Sequence, residues 1–223
     1  MCISDTMKLQ IIYDNNAQNN FKAGWGFSCV IEVNKEKILF DTGWNGNILL
    51  YNMKIMGVNP KELNKIILSH SHWDHIGGLN HLFKFETFPD VYLPQSFSSN
   101  LKDEIKRFAN IIEISNQRKI NKNIWTTGEL GETTKEQSLL IKTENGNVII
   151  TGCAHPGLDN IINSLKNLGN ISTIIGGFHD SNIKELKDLQ IVIPCHCTQK
   201  KELIEKQNPE SFRECKVGSI FKF

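Results

Sequence analysis

Two periods of apolar residues alternate along this 223-residue chain. Short continuous or β-branched runs at 8–13, 28–33, 38–40, 66–68, 91–93, 147–151, 171–175 and 191–193 read as buried strands. Between them, apolar residues three and four apart predict helices. One covers 45–56, with Leu49, Met53 and Met56 on one face and Gly57 as its stop. Asn59 and Pro60 form an N-cap and first-turn pair that starts another. Further helices follow Gly78 and Ser98-Ser99, and Leu158, Ile161, Ile162, Leu165 and Leu168 make a stripe closed by Gly169. A short helix is expected around Ile183, Leu186 and Leu189, and a strand over 216–223. Glu144-Asn145-Gly146, between two apolar runs, signals a hairpin, as does Asn34-Lys35-Glu36. The alternation argues an α/β chain, and the hairpins argue mixed sheets.

The chemistry gathers where strands stop. After the 66–68 run come His70, His72, Asp74 and His75, then Gly77-Gly78. Imidazole and carboxylate are zinc-type ligands, and four of them in one turn exceed what a single tetrahedral ion takes from one loop, so two ions are indicated. Of the seven histidines, three more (His155, His179 and His196) each follow a strand-like run, while His81 reads as a partly exposed helix residue. Asp41 ends the 38–40 run and reads as an acceptor that orients a metal-bound imidazole. Trp73 either walls a pocket or packs as core, and Phe178 and Trp25 share that ambiguity with packing favoured. Thr198 either donates to a phosphate oxygen or caps a helix starting near Gln199.

Composition narrows the function classes. Net charge is +1 with both signs interspersed, so there is no nucleic-acid footprint. No apolar run approaches a membrane span, and the start, Met1-Cys2-Ile3-Ser4-Asp5, lacks the features of a secretory signal. A cytoplasmic protein with free thiols is expected, its six cysteines forming no disulfide framework. Cys153, Cys195 and Cys197, beside His155 and His196, either ligate zinc as thiolates or pack as small residues around the site, with packing favoured. No linker or low-complexity tract divides the chain, so 1–223 reads as one domain.

Leu39-Phe40-Asp41-Thr42-Gly43, then His70-x-His72-x-Asp74-His75-x-Gly77-Gly78, then His155 and His196, resemble the metallo-β-lactamase superfamily over almost the whole chain. Tyr13-Asp14-Asn15, Gly152 to Gly157, Gly176 to His179 and Pro194 to Thr198 resemble its branch of dihydropterin-(ribofuranosyl)aminobenzene 5'-phosphate synthase-like proteins. The resemblance implies a four-layer αββα sandwich of two mixed sheets with a dinuclear centre at one edge. It assigns His70, His72 and His155 to one metal and Asp74, His75 and His196 to the other. Most hydrolases of the superfamily carry a bridging aspartate where this chain has Gly176-Gly177-Phe178-His179. Either His179 ligates terminally, Asp180 swings in, or water alone bridges. Zinc fits the donor set best, with Mn2+ and Fe2+ as alternatives.

The expected activity is that of a metal-dependent hydrolase acting on a phosphorylated small molecule such as a phosphodiester. Asp74 would orient the attacking water or carry its proton. The alternatives are transfer from a pterin diphosphate and a non-catalytic metal- or ligand-binding role. The sequence indicates no oligomeric state.

Overall fold

Most apolar runs of the first half become strands of one sheet in the computed structural model, which describes residues 7–223. The segment Met1 to Asp5, read above for a targeting signal, and Cys2 within it lie outside the described residues. Strands β1 (Lys8–Tyr13), β2 (Ser28–Val33) and β3 (Glu36–Phe40) pair antiparallel in that order. Helix α1 (Gly46–Ile55) then crosses to β4 (Lys65–Ile67), which lies parallel to β3 with Phe40 opposite Ile67. Asn45 caps α1 by accepting from the Asn47 and Ile48 amides, and the helix buries Leu49 and Met53. The Asn59-Pro60 start yields only a 3-10 turn, Pro60–Glu62, because Leu63 is already extended toward β4.

After β4 the metal-type motif forms a short helix, α2 (Trp73–Ile76), followed by α3 (Leu79–Phe83). Then come β5 (Asp90–Pro94), α4 (Ser99–Lys106), β6 (Asn110–Ile114) and β7 (Asn116–Lys119). The sequence pattern misses these last two strands. The Asn-Gln-Arg-Lys of β7 carries no apolar period because it is a sheet edge, where charged residues discourage further pairing.

The second sheet is built from β7, β8 (Ile124–Gly128), β9 (Leu139–Ile141), β10 (Asn147–Thr151), β11 (Ile171–Gly177) and β12 (Ile191–Cys195), in reverse spatial order from β12 to β7. The 144–146 turn closes an antiparallel β9–β10 pair, as expected. Helix α5 (Leu158–Leu165) follows β10, and its last turn tightens to 3-10 before Gly169. Helix α6 (Lys201–Gln207) follows β12. The expected 216–223 strand shortens to β13 (Ile220–Lys222), which flanks β1 and completes the first sheet as β13-β1-β2-β3-β4-β5-β6.

Three apolar clusters define the layers. One lies between the sheets, with Ile11, Ile31, Phe40 and Ile67 facing Leu139, Ile150, Ile175 and Ile193. A second joins Leu39, Ile66 and Val91 to Leu49, Met53, Leu82 and Ile105 of the helices outside the first sheet. A third joins Ile149, Ile174 and Val192 to Leu158, Ile161, Leu165 and Ile204. The order is helix, sheet, sheet, helix: an αββα sandwich of two mixed sheets. In each sheet the parallel strands (β3 to β6, β10 to β12) end at a common edge, which brings their terminal loops together.

Candidate metal centre

Several of the edge loops begin with a sharp backbone turn. Asp41, Ala154, His179 and His196 follow β3, β10, β11 and β12 and have φ of 55°, 53°, 49° and 41°. Left-handed backbone at residues with a Cβ is strained, and such strain persists where packing and hydrogen bonds over-determine it. Here it turns functional side chains across the sheet edge.

Asp41 is fully buried and links three elements. Its Oδ1 accepts the Ser69 amide at 2.7 Å, and its Oδ2 accepts the Ser69 hydroxyl and His75 Nδ1–H, each at 2.7 Å. The Ser69 hydroxyl in turn accepts from His70 Nδ1–H at 2.9 Å. These bonds set both imidazoles with the proton on Nδ1 and the lone pair on Nε2. Gly152 packs against this network, and a Cβ there would stand 2.2 Å from Ser69 Oγ. His196 is set the same way: Asn15 Oδ1 accepts from its Nδ1 at 3.0 Å, and Asp14 Oδ1 accepts from its amide at 2.6 Å.

The bare nitrogens converge in two groups. Ligand atoms of His70, His72 and His155 lie within 4.8 Å of one another, as do those of Asp74, His75 and His196. In the first group, Nε2 of His70 and Nε2 of His155 are buried with no hydrogen-bond partner. A buried nitrogen lone pair left unpaired costs free energy unless something binds it, so a metal ion fits this donor set. In the second, Asp74 Oδ2 is 3.0 Å from His196 Nε2 and 3.9 Å from His75 Nε2.

A model of the metallo-beta-lactamase superfamily matches residues 26–196, the stretch that carries both groups. The chain belongs to this superfamily. It is 28% identical, over 98% of its length and 97% of the relative's, to 7,8-dihydropterin-6-methyl-4-(beta-D-ribofuranosyl)-aminobenzene-5'-phosphate synthase of Methanocaldococcus jannaschii. Among solved structures it superposes with a TM-score of 0.80 on Tm1679, a metal-dependent hydrolase of the beta-lactamase superfamily. That likeness spans 97% of this chain and 99% of the other at 26% identity. The metallo-beta-lactamase fold protein YhfI from Bacillus subtilis shares the fold, with a TM-score of 0.72 at 14% identity over 99% of this chain and 100% of that one.

The other residues singled out by sequence resolve between the alternatives left open for them. His179 stays out of both groups: its side chain is 42% exposed, with its ring centroid 5.2 Å from that of His155. Asp180 is 76% exposed, and its carboxylate faces His179 Nδ1 at 3.6 Å and neither ligand group. The Thr198 hydroxyl donates to the Cys195 carbonyl and accepts the Phe178 amide, so it ties β11 to β12, while the N-cap of α6 is Lys200. Phe178 is buried in the apolar cluster under α5. Trp73 is 57% exposed and lines an apolar cleft with Phe83, Leu101 and Phe108, which removes the core reading. Trp25 is also exposed, and its ring meets His196 edge-on at 4.9 Å.

Two sets of site residues escape the sequence reading. Glu136 is fully buried; Oε1 accepts the amides of Gly152, Cys153 and Ala154 and the Thr151 hydroxyl, and Oε2 accepts the His155 amide. It clamps the loop that presents His155. Asp14 and Asn15 are visible in the sequence only as part of a motif, with no role attached. Cys153 and Cys197 have the character of packing residues, yet Cys153 Sγ lies 3.1 Å from His75 Nε2.

Electrostatics follow from burial. It holds His70 and His155 below the usual imidazole range, aided by the neighbouring imidazoles, and takes His196 down to about 4 against its Asp74 bond. His75 goes the other way, since the Asp41 carboxylate outweighs burial and raises it. Burial would raise Asp74, but protons taken up by His196 and His75 outweigh it and hold the carboxyl well below the usual carboxylate range. Unfolded imidazoles take up protons near 6.5, which these three buried ones resist, so acidification favours the unfolded chain. For His196 alone the effect reaches about 3 kcal/mol by pH 4. His75 contributes in the opposite sense, its stabilisation fading as pH rises through its folded value. The melting temperature of chelator-treated protein is therefore expected to fall from about pH 6.5 toward pH 4. A melting temperature that holds or rises over that window contradicts the neutral-imidazole assignment.

Proposed function

We propose that this chain is a metal-dependent hydrolase with two divalent-metal sites, His70/His72/His155 and Asp74/His75/His196, acting on a phosphorylated small molecule such as a phosphodiester. The observation that carries this reading is the pair of buried, partnerless Nε2 atoms of His70 and His155, set beside a second group whose imidazoles are held in the metal-binding tautomer. Two ions bound there supply Lewis acidity to a phosphoryl oxygen and make water nucleophilic at neutral pH.

The protein's own residues do the positioning. Asp41, Ser69 and Asn15 fix ring orientation, and Glu136 fixes the His155 loop. Asp74, whose carboxylate faces the His75 and His196 nitrogens, would orient the attacking water or carry its proton. His155 opens onto a polar cavity of about 350 Å³ with Thr133, Thr134 and Asn160 in its wall, room for a hydroxyl-bearing arm of a small substrate. Glu132 in the same wall disfavours a second phosphate there. Both sheets contribute to one site, which supports reading 1–223 as one domain. The described cysteines are free, which suits a reducing cytoplasm, and no helix among the described residues is long and apolar enough to cross a membrane.

The test is hydrolysis of bis(p-nitrophenyl) phosphate by protein loaded with zinc or manganese. Activity is expected to vanish with chelator. In His72→Ala it should fall by more than the roughly 10–100-fold that changes outside the ligand set bring. No release from fully loaded protein overturns the diesterase reading. A second reading, transfer from a pterin diphosphate to an aromatic amine, draws on the full-length likeness to the archaeal synthase. Diphosphate release that requires added arylamine would distinguish it.

A further inference from the structure

Cys153 and Cys197 set themselves apart from the other described cysteines. Cys29, Cys195 and Cys215 belong to the apolar cluster between the sheets, and the group that Cys195 and Cys215 form with Asp14 contains no imidazole. Cys153 is equally buried but lies outside that cluster and faces the imidazoles. Its sulfur lies 3.1 Å from His75 Nε2 and 3.2 Å from Cys197 Sγ. It shares one group within 4.8 Å with His70 and His75, and another with His196 and Cys197. The sulfur therefore stands among donor atoms taken from both ligand groups.

The spacings suit coordination. With zinc–nitrogen and zinc–sulfur bonds of about 2.0–2.3 Å, the edges of a coordination tetrahedron are roughly 3.3–3.8 Å. The separations His75 Nε2 to Cys153 Sγ (3.1 Å), His196 Nε2 to Asp74 Oδ2 (3.0 Å) and His75 Nε2 to Asp74 Oδ2 (3.9 Å) bracket that range. The fold also reserves room for the thiol pair: a Cβ on Gly177 would stand 2.6 Å from Cys197 Sγ.

We propose that Cys153, as a thiolate, is a further protein ligand of the metal held at His75 and His196, with Cys197 supporting its sulfur through a thiol contact. This rests on the metal-centre reading above. On binding, the Cys153 S–H bond breaks, the sulfur gives an electron pair to the metal, and the proton passes to solvent. The thiolate supplies the anionic donor that no carboxylate at 178–180 provides, since His179 and Asp180 both stay outside the ligand groups. A soft sulfur ligand selects zinc over manganese at this position.

Loading the chelator-treated protein with cobalt(II) tests this without reference to turnover. Two bound cobalt ions and a near-ultraviolet thiolate-to-cobalt charge-transfer band are expected, with the band lost in Cys153→Ser and kept in Cys197→Ser. Because a buried Cys153→Ser change can itself disturb folding, X-ray absorption on the wild-type zinc protein gives an independent answer: a sulfur scatterer at about 2.3 Å is expected. Bound cobalt with visible d–d bands but no charge-transfer band overturns the thiolate ligand and leaves the metal centre standing. A band that survives Cys153→Ser, or is lost only in Cys197→Ser, overturns the assignment to Cys153. Failure to bind cobalt at all overturns the metal-centre reading itself.

Discussion

Glu136→Ala is expected to lower the stability of the folded chain by about 3–5 kcal/mol, because it leaves five buried neutral donors without their acceptor. One fully buried carboxylate accepts the amides of four consecutive residues, Gly152 to His155, and the Thr151 hydroxyl. Each orphaned buried donor costs roughly 1–3 kcal/mol, and water entering the vacated volume offsets only part of the sum. For a chain of this length, that corresponds to a drop of about 10 °C in melting temperature. The metal content should fall as well, because the same residues present His155 and Cys153. Glu136→Gln, which keeps the acceptor oxygen at Oε1, should fall between wild type and Glu136→Ala. Thermal denaturation followed by circular dichroism decides the matter, and a melting temperature within a degree or two of wild type would falsify the clamp.

Asp41→Asn is the second large effect, and it acts on metal affinity more than on folding. The carboxylate accepts three hydrogen bonds, from the Ser69 amide, the Ser69 hydroxyl and His75 Nδ1–H. An amide has one acceptor oxygen, and its NH2 facing His75 would confront a second donor. His75 must then lose the bond or move its proton to Nε2, the atom that faces the metal group. The Ser69 hydroxyl, released from Asp41, would also orient His70 less firmly. Loss of such support outside the ligand set typically weakens metal binding by about 10–100-fold. Chelator competition with zinc should show that loss, together with a matching fall in diester hydrolysis at limiting metal. Unchanged zinc affinity would mean that the tautomer of His75 is set by something other than Asp41.

Much of the chemistry is legible in the amino-acid sequence because it is local. His70, His72, Asp74 and His75 sit within six residues after an apolar run, and their type and spacing suffice to suggest metal ligands. Asp41, an acid at the end of a buried strand, advertises a need for partners. The helices carrying Leu49 and Met53, or Leu158 to Leu165, are visible for the same reason: a 3.6-residue period is a property of neighbours along the chain. Strand β7 is hidden because an edge lined with Asn, Gln, Arg and Lys has no apolar period to read.

Other site features depend on which distant segments meet. Glu136 lies in a polar stretch, and nothing local marks it as buried; it becomes the anchor of residues 152–155 only because the β8–β9–β10 meander folds that stretch under the β10 loop. Asn15 meets His196 across 181 positions of sequence. Cys153 has the composition of a packing residue, and its place among the imidazoles is settled by β10, β11 and β12 ending in parallel register beside the β4 loop. His179 has the look of a ligand by the same strand-end rule that finds His155, but it stands beside the His155 ring, half-exposed, and joins neither ligand group. The sequence by itself thus determined the donor types and the strand ends that carry them. The tertiary structure decided which donors face one another, because that depends on sheet register and on the left-handed turns after β3, β10, β11 and β12, whose strain only long-range contacts can hold.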